Sequence, residues 1–422
     1  MEKDLLLSLY SKAVEGVMPG PLVARSLRDL PWQGPMRLLA VGKGAGSMAF
    51  GAQEVVGEAV VDGLVVLPPG VESPGRWRRI EGGHPLPSRG SLEAGEAALE
   101  LAREAGEEGL FLVLLSGGAS ALMEVPWPGL SLEELVETTR ALLVSGATIG
   151  EINTVRKHLS TLKGGRLAQA AAPSRVLTLI LSDVVGDPLD VIGSGPTYPD
   201  ATTFAQALEV LERRGCLPSV PSGVVDHLRR GVAGEVPETP KGHEPFWRGV
   251  RHRILGNNRK ALETAAREAA KRRIEAVIYT SRLKGEAREV AKVLAAVAWD
   301  EAHYGTRPRL LLWGGEPTVT VRGRGKGGRA QEMALALALE LEGWPGTFLA
   351  AGTDGIDGMS PAAGAFGDGT TVARARARGL DPEAYLEEND SYNFFRILGD
   401  LLVTGPTGTN VMDVVLFYLP GG

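Results

Sequence analysis

Eight short apolar runs punctuate the chain, and most of them stop abruptly at glycine, serine, threonine or aspartate. They are Arg37–Gly42, Gly63–Pro68, Phe111–Gly117, Val176–Asp183, Glu275–Ser281, Arg309–Gly315, Thr347–Gly352 and Leu401–Gly405. Runs without polar alternation suit parallel strands buried on both faces. Between many of them lie helical patterns: Ser91–Ala105, Ser131–Leu143, Arg259–Arg272, Glu286–His303 and Ala330–Leu341. Ser131 and Glu134 have the spacing of a capping box. Strand–helix alternation predicts open α/β sheets, which bind ligands beyond the carboxyl ends of their strands. A stretch carrying Pro218, Pro221, Pro237, Pro240 and Pro245 has little periodicity and reads as a linker or crossing. The expected domains are therefore 1–235 and 236–422.

Composition narrows the function. The chain has 422 residues and a net charge of −6, which argues against a general nucleic-acid or membrane-surface binder. No apolar stretch is long enough for a membrane span, and the N-terminus does not read as a signal peptide. The single cysteine, Cys216, rules out an intrachain disulfide and a multi-cysteine metal site, and points to a cytoplasmic compartment.

The chemistry sits where the strands end. Val41-Gly42-Lys43-Gly44-Ala45-Gly46-Ser47 follows a strand and matches neither a Walker loop nor the dinucleotide fingerprint. It reads equally as a phosphate-approaching turn with Lys43 as its cation, or as a tight turn with a solvated lysine. In the next such loop, Ser116, Gly117, Gly118 and Ser120 combine glycines with hydroxyls, which suits an anion nest better than packing alone. If 151–170 is helical, Asn153, Arg156, Ser160 and Lys163 share one stripe; a solvated basic face is the usual reading of such a run, an anion-facing stripe the other. Asp183 and Asp187, with Gly193-Ser194-Gly195-Pro196-Thr197 behind them, suit a metal–phosphate site of hard oxygens, although each aspartate alone can shape a turn. Asn257 and Asn258 can cap a helix or read a ligand hydroxyl.

Further on, Gly323-Arg324-Gly325-Lys326-Gly327-Gly328-Arg329 opens onto a helix and reads as a flexible cationic lid or cradle. Arg329 lies nearest the helix start, and its planar guanidinium suits phosphoryl oxygens or a carboxylate. Asp354 and Asp357 end a strand in a loop resembling a cation site without EF-hand register. No nucleophile elbow and no histidine cluster is visible. Glycine, hydroxyl, cation and aspartate at strand ends form the set that phosphoryl transfer uses, since its catalysis is mostly positioning and charge neutralisation.

Taken in order, the blocks at Val41–Ala49, Leu114–Met123, Glu151–Ala168 and Leu181–Thr197, then Leu311–Ala336, Ala350–Phe366 and Asn389–Val414, resemble the MOFRL-type glycerate 2-kinases, a family also known under the name hydroxypyruvate reductase. The resemblance covers nearly the whole chain. It implies an α/β protein of two domains with mostly parallel open sheets flanked by helices. One would be a Rossmann-like N-terminal domain, the other a C-terminal MOFRL domain, with the active site in the cleft between them. It implies phosphorylation of D-glycerate at the 2-hydroxyl by ATP with Mg2+. Lys43, Arg329 and Asp183 are then the catalytic candidates, with Asp183 and Asp187 as metal ligands. Gly44, Ser116, Gly117, Gly118, Ser120, Asn257 and Lys163 face the nucleotide, and Arg156, Asn153, Glu316 and Asp354 face the substrate. The competing readings are an NAD(P)H-dependent hydroxypyruvate reductase, for which the fingerprint is missing, and a non-catalytic phosphosugar or nucleotide sensor. The only expected partner is the small molecule, with no nucleic acid and no membrane; the oligomeric state is open between monomer and homodimer.

Overall fold

The computed structural model describes every residue except 1, 33, 305, 306 and 422. All eight apolar runs contain strands. In chain order the strands are β1 (Met36–Val41), β2 (Val60–Leu67), β3 (Arg78–Glu81), β4 (Leu110–Leu115), β5 (Arg175–Leu181), β6 (Val250–Gly256), β7 (Glu275–Leu283), β8 (Arg309–Gly315), β9 (Thr347–Gly352), β10 (Gly364–Asp368), β11 (Leu401–Leu402) and β12 (Asp413–Leu419). The five helical patterns form helices within two residues of the expected bounds. Ser131 and Glu134 make the expected capping box.

The strands form two six-stranded sheets, ordered β3-β2-β1-β4-β5-β6 and β11-β10-β9-β12-β8-β7. In the first, β3, β2, β1, β4 and β5 pair in parallel. Every residue of β4 is buried, as its unbroken apolar run requires. The order reverses between β1 and β4, so the chain leaves these neighbouring strands toward opposite sides of the sheet and opens a crevice beyond their carboxyl ends.

The second sheet is more mixed than the sequence indicates. Only β7 and β8 pair in parallel; the other four pairings are antiparallel. The cause is β12, which inserts between β8 and β9 against both of them, together with β10 at the edge of β9. Four strands still run one way.

Two compact units result. One comprises Pro19–Ser182 and Asp187–Leu255; the other comprises Met1–Met18, Asp183–Gly186 and Gly256–Gly422. This division departs from the expected 235/236 boundary for two physical reasons. The proline-rich stretch is no linker: it carries a helix, Ser222–Val232, and delivers β6 to the first sheet. The N-terminal helix (Glu2–Glu15) buries Leu6, Leu9, Tyr10 and Ala13, and the Tyr10 hydroxyl donates to the Gly352 carbonyl at 2.8 Å, which assigns the helix to the second unit.

Each unit has its own core. The first packs Leu38, Ala40, Leu112 and Leu114 of its sheet against Met48, Ala49 and Ala52 of the helix Ala45–Val56. A satellite cluster around Phe204, Leu142 and Leu228 joins the helices that follow β4. The second unit packs the nearly all-buried helix Arg329–Glu340 on Trp313, Phe348 and Phe417.

Candidate active site

In the first unit the two glycine loops meet at the switch point. The Lys43 amide donates to the Gly117 carbonyl at 2.8 Å, and the Gly44 amide donates to Ser116 Oγ at 3.0 Å. Gly42 has a φ of +124°, and a Cβ there would lie 2.2 Å from Ser116 Oγ, so only glycine fits. The Lys43 side chain remains exposed beside this cradle. Gly118, at φ +85°, lies between His84 and Lys43; a Cβ there would come within 3.1 Å of the imidazole and 3.3 Å of the lysine stem. Partial burial and the Lys43 charge hold His84 below its ordinary pKa, which favours its neutral form. Sequence reasoning passed over His84; its one signal is a lone histidine directly after two glycines.

Ser120 and Asn153 are linked through Ser194, while Lys163 and Arg156 have partners of their own. Ser120 Oγ contacts Ser194 Oγ, and Ser194 Oγ donates to Asn153 Oδ1 at 3.0 Å. The expected single helix over 151–170 divides instead into Ile149–Leu159 and Arg166–Ala171, so the stripe bends at Ser160. Ser160 Oγ donates to Glu124 Oε1 at 2.6 Å, and Lys163 Nζ donates to Glu124 Oε2 at 2.5 Å and to the Met123 carbonyl at 3.2 Å. Lys163 is fully buried in this pair. Its charge is paired with Glu124, beside the role at a nucleotide expected of it. Arg156 is only half-buried, with its Nε on Thr139 Oγ1 at 3.3 Å, and burial lowers its pKa.

In the second unit Arg329 is the first residue of its helix. Its Nε donates to Asp413 Oδ2 at 2.6 Å, its Nη2 to Asp413 Oδ1 at 3.3 Å, and its Nη1 to Glu316 Oε1 at 2.7 Å. The sheet explains the arrangement. Asp413 opens β12 in register with Gly315 of β8 on one side and Gly352 of β9 on the other, and Glu316 directly follows β8. Asn258 Nδ2 donates to the Val411 and Asp413 carbonyls at 2.9 and 2.8 Å, fixing the start of β12. Burial pushes the Asp413 carboxyl up to about 7 against the pull of Arg329, and Asp357 and Glu316 add to the rise. Against its own burial, Arg329 is held above the ordinary arginine range by Asp413 and Glu316.

Three expectations change here. Glu316, expected to face the substrate, pairs with Arg329. Asp357 is a helix cap, accepting from the Ala330 and Gln331 amides at 3.1 and 2.8 Å, while Asp354 accepts from the Ile356 amide at 3.1 Å and shapes the turn before it. The glycine-rich segment is not a flexible lid but is laid onto the 388–392 segment. Asn389 Oδ1 accepts from the Arg322 and Gly323 amides, Asp390 Oδ1 from the Lys326 amide, and the Gly325 amide donates to the Glu388 carbonyl. A Cβ at Gly323 or Gly325 would lie 2.2 or 2.3 Å from that partner segment. The side chains of Arg322, Arg324 and Lys326 stay exposed on this pinned backbone.

Asn257 caps the helix Asn258–Lys271, its Oδ1 accepting from the Lys260 amide at 3.0 Å. Asp183 belongs to the second unit and Asp187, at φ +58°, to the first. Among the described residues there is no group of three or more His, Cys, Asp or Glu arranged to hold a metal. That excludes a preformed all-protein cage there, but magnesium bound with a nucleotide takes only one or two carboxylates and completes its shell with phosphates and water.

The first unit thus carries a backbone cradle beside an exposed lysine at a sheet's switch point, and the second a carboxylate-held arginine at a helix start; each is a feature that α/β phosphotransferases use. Comparison with known proteins narrows the class. Residues 5–229 match a domain of unknown function, DUF4147, and residues 309–413 match the MOFRL family. The D-glycerate 2-kinase of Thermotoga maritima is 43% identical over 98% of this chain and 97% of its own. A crystal structure of a glycerate kinase from the same organism superposes with a TM-score of 0.91 at 42% identity, covering 99% of both chains. A relative from Agrobacterium vitis, 38% identical over 98% of this chain and 93% of its own, carries a provisional hydroxypyruvate reductase name. The chain belongs to the MOFRL-type glycerate 2-kinase family.

Proposed function

We propose that this protein transfers the γ-phosphoryl group of ATP to the 2-hydroxyl of D-glycerate, giving 2-phosphoglycerate and ADP. The observation that carries the reading is the end-to-end similarity to a D-glycerate 2-kinase at 43% identity. The cradle at the β1–β4 switch point supports it. The one Gly-x-Gly-x-x-Gly run that occurs, Gly323–Gly328, does not directly follow a strand, since β8 ends at Gly315, and so lacks the setting of a reductase's dinucleotide fingerprint.

In this reading the 2-hydroxyl oxygen attacks the γ-phosphorus in line, and the bond from that phosphorus to the β–γ bridging oxygen breaks. Lys43 and Arg329 neutralise charge on the phosphoryl oxygens or hold the glycerate carboxylate. The loops carrying Gly44, Ser116, Gly117, Gly118 and Ser120 seat the nucleotide, with Asn257 as a further candidate. Asn153 and Arg156 are the candidates for contact with the substrate. Asp183 or Asp187 accepts the hydroxyl proton or supplies a carboxylate to magnesium, and the donor chemistry fits that ion. Bound magnesium would screen the phosphate charge. The enzyme is read as cytoplasmic, working on small molecules alone, as a monomer or homodimer. Among the described residues no helix is long and apolar enough to cross a membrane.

The test is to incubate the protein with ATP, magnesium and D-glycerate and to locate the new phosphate by 31P and 1H NMR. Phosphate on carbon 2 is the expected result. Phosphate on carbon 3 would overturn the regiochemistry, and NADH oxidation on hydroxypyruvate without phosphorylation would overturn the kinase.

A further inference from the structure

Arg329 is held by more than a helix start. Side-on pairing with Asp413 and an end contact with Glu316 commit three of the five N–H donors of its guanidinium. Asp413 is fully built into the sheet, with a side chain only 7% exposed, whereas the Arg329 side chain is 33% exposed. The group is therefore gripped by a buried carboxylate, and two N–H donors of a partly exposed guanidinium are left over. A planar fork fixed in this way loses little freedom when it meets an anion. Gly352, opposite Asp413 in the sheet, leaves room beside the carboxylate: a Cβ there would lie 3.4 Å from Asp413 Oδ1.

The geometry points to Asp413 and Glu316 as positioning residues for phosphoryl transfer, which orient the Arg329 guanidinium so that its two uncommitted donors face the transferring phosphoryl group. This rests on the kinase reading above and on Arg329 acting in it. Neither carboxylate touches the reacting atoms; each acts through the arginine. Glu316, placed with the substrate contacts on sequence grounds, thereby takes a different role. The titratable groups that interact with Asp413 include Arg329, Asp357 and Glu316, and Tyr10 from the N-terminal helix.

The test is a kinetic cycle of D413N, R329A and the double variant, with E316Q alongside. D413N should lower kcat about 30-fold, with the KM for ATP and for D-glycerate each within about 3-fold of wild type, because orientation acts in the transition state. R329A should lose at least as much, and the double variant should be no slower than R329A. Losses that multiply in the double variant would overturn the proposal, since Asp413 would then act independently of Arg329. A D413N enzyme with normal kcat beside an impaired R329A would overturn it too, while leaving Arg329 in the mechanism. Normal turnover by R329A would remove the arginine and the proposal together, while wild-type phosphorylation of glycerate would still stand. Should D413N fail to fold, the half-exposed E316Q carries the same cycle, with an expected fall in kcat of about 5-fold that disappears in the R329A background.

Discussion

Ser116 Oγ accepts the Gly44 amide at 3.0 Å, across 72 residues of sequence, and so ties the end of β4 to the start of the helix after β1. Removing the hydroxyl leaves that amide without its acceptor at the mouth of the cradle. Ser116→Ala should cost about 1 kcal/mol of stability and reduce kcat/KM for ATP at least 10-fold. Gly42→Ala should cost about 2 kcal/mol or more, because both its φ and the 2.2 Å approach to Ser116 Oγ exclude a side chain. Urea denaturation midpoints measure both; a Gly42→Ala protein as stable as wild type would contradict the close approach.

The Glu124–Lys163 pair is buried at side-chain exposures of 5% and 1%. Breaking it from one side strands a charge in the core, at a cost of about 3–5 kcal/mol for Glu124→Ala. Replacing both by apolar residues, Glu124→Leu with Lys163→Met, should restore much of that loss. If the doubly changed enzyme binds ATP with unaltered KM, Lys163 has no role at the nucleotide; a tenfold rise would reinstate one.

Asp413 makes stability depend on pH. Its folded pKa of about 7 lies above the ordinary aspartate value of 3.8, so the folded state binds a proton that the unfolded state releases. Its contribution is fully present below about pH 4 and is lost as pH rises through about 7. Relative to wild type, Asp413→Asn should therefore gain stability with rising pH across that window, by at most about 1.4 kcal/mol per pH unit. Thermal melts of the two proteins from pH 4 to 8 check this; a constant or shrinking difference would place the aspartate pKa outside that window.

Asn389 holds two amides of the glycine-rich segment through Oδ1 and donates to buried Glu332 through Nδ2 at 2.7 Å. Asn389→Ala should release the segment and cost about 2 kcal/mol. Exposed Arg322, Arg324 and Lys326 then become trypsin sites, and cleavage there should speed up several-fold over wild type under native conditions. Equal cleavage rates would show that the glycine packing alone pins the backbone.

How much of this could be read in advance depends on where the chemistry sits along a strand. Polar residues at carboxyl ends reveal parallel strands, and that rule found Lys43, Ser116 and Asp183. β12 escaped it: running antiparallel, it carries its polar residue at its first position, so Asp413 looked like loop. The order of the Gly-Lys-Gly and Ser-Gly-Gly loops was visible in the motifs, whereas whether Lys43 is exposed was left open by them. Their tie through Ser116, and the pairing of Lys163 with Glu124, depend on strand order and on contacts across 72 and 39 residues, which no local pattern contains. Arg329 was legible as a cation at a helix start, but its two carboxylate partners come from β8 and β12, which only the sheet brings together.

The N-terminal helix has a consequence for biosynthesis. It is made well before the surface it covers: the carbonyl that Tyr10 binds is 342 residues further along the chain. Until the second sheet is synthesised, Leu6, Leu9, Tyr10 and Ala13 have no surface to cover, while the first unit already has every strand it needs by Gly256. The second unit therefore cannot close over this helix until β9 and β12 have been synthesised, and until then the helix carries an uncovered apolar face.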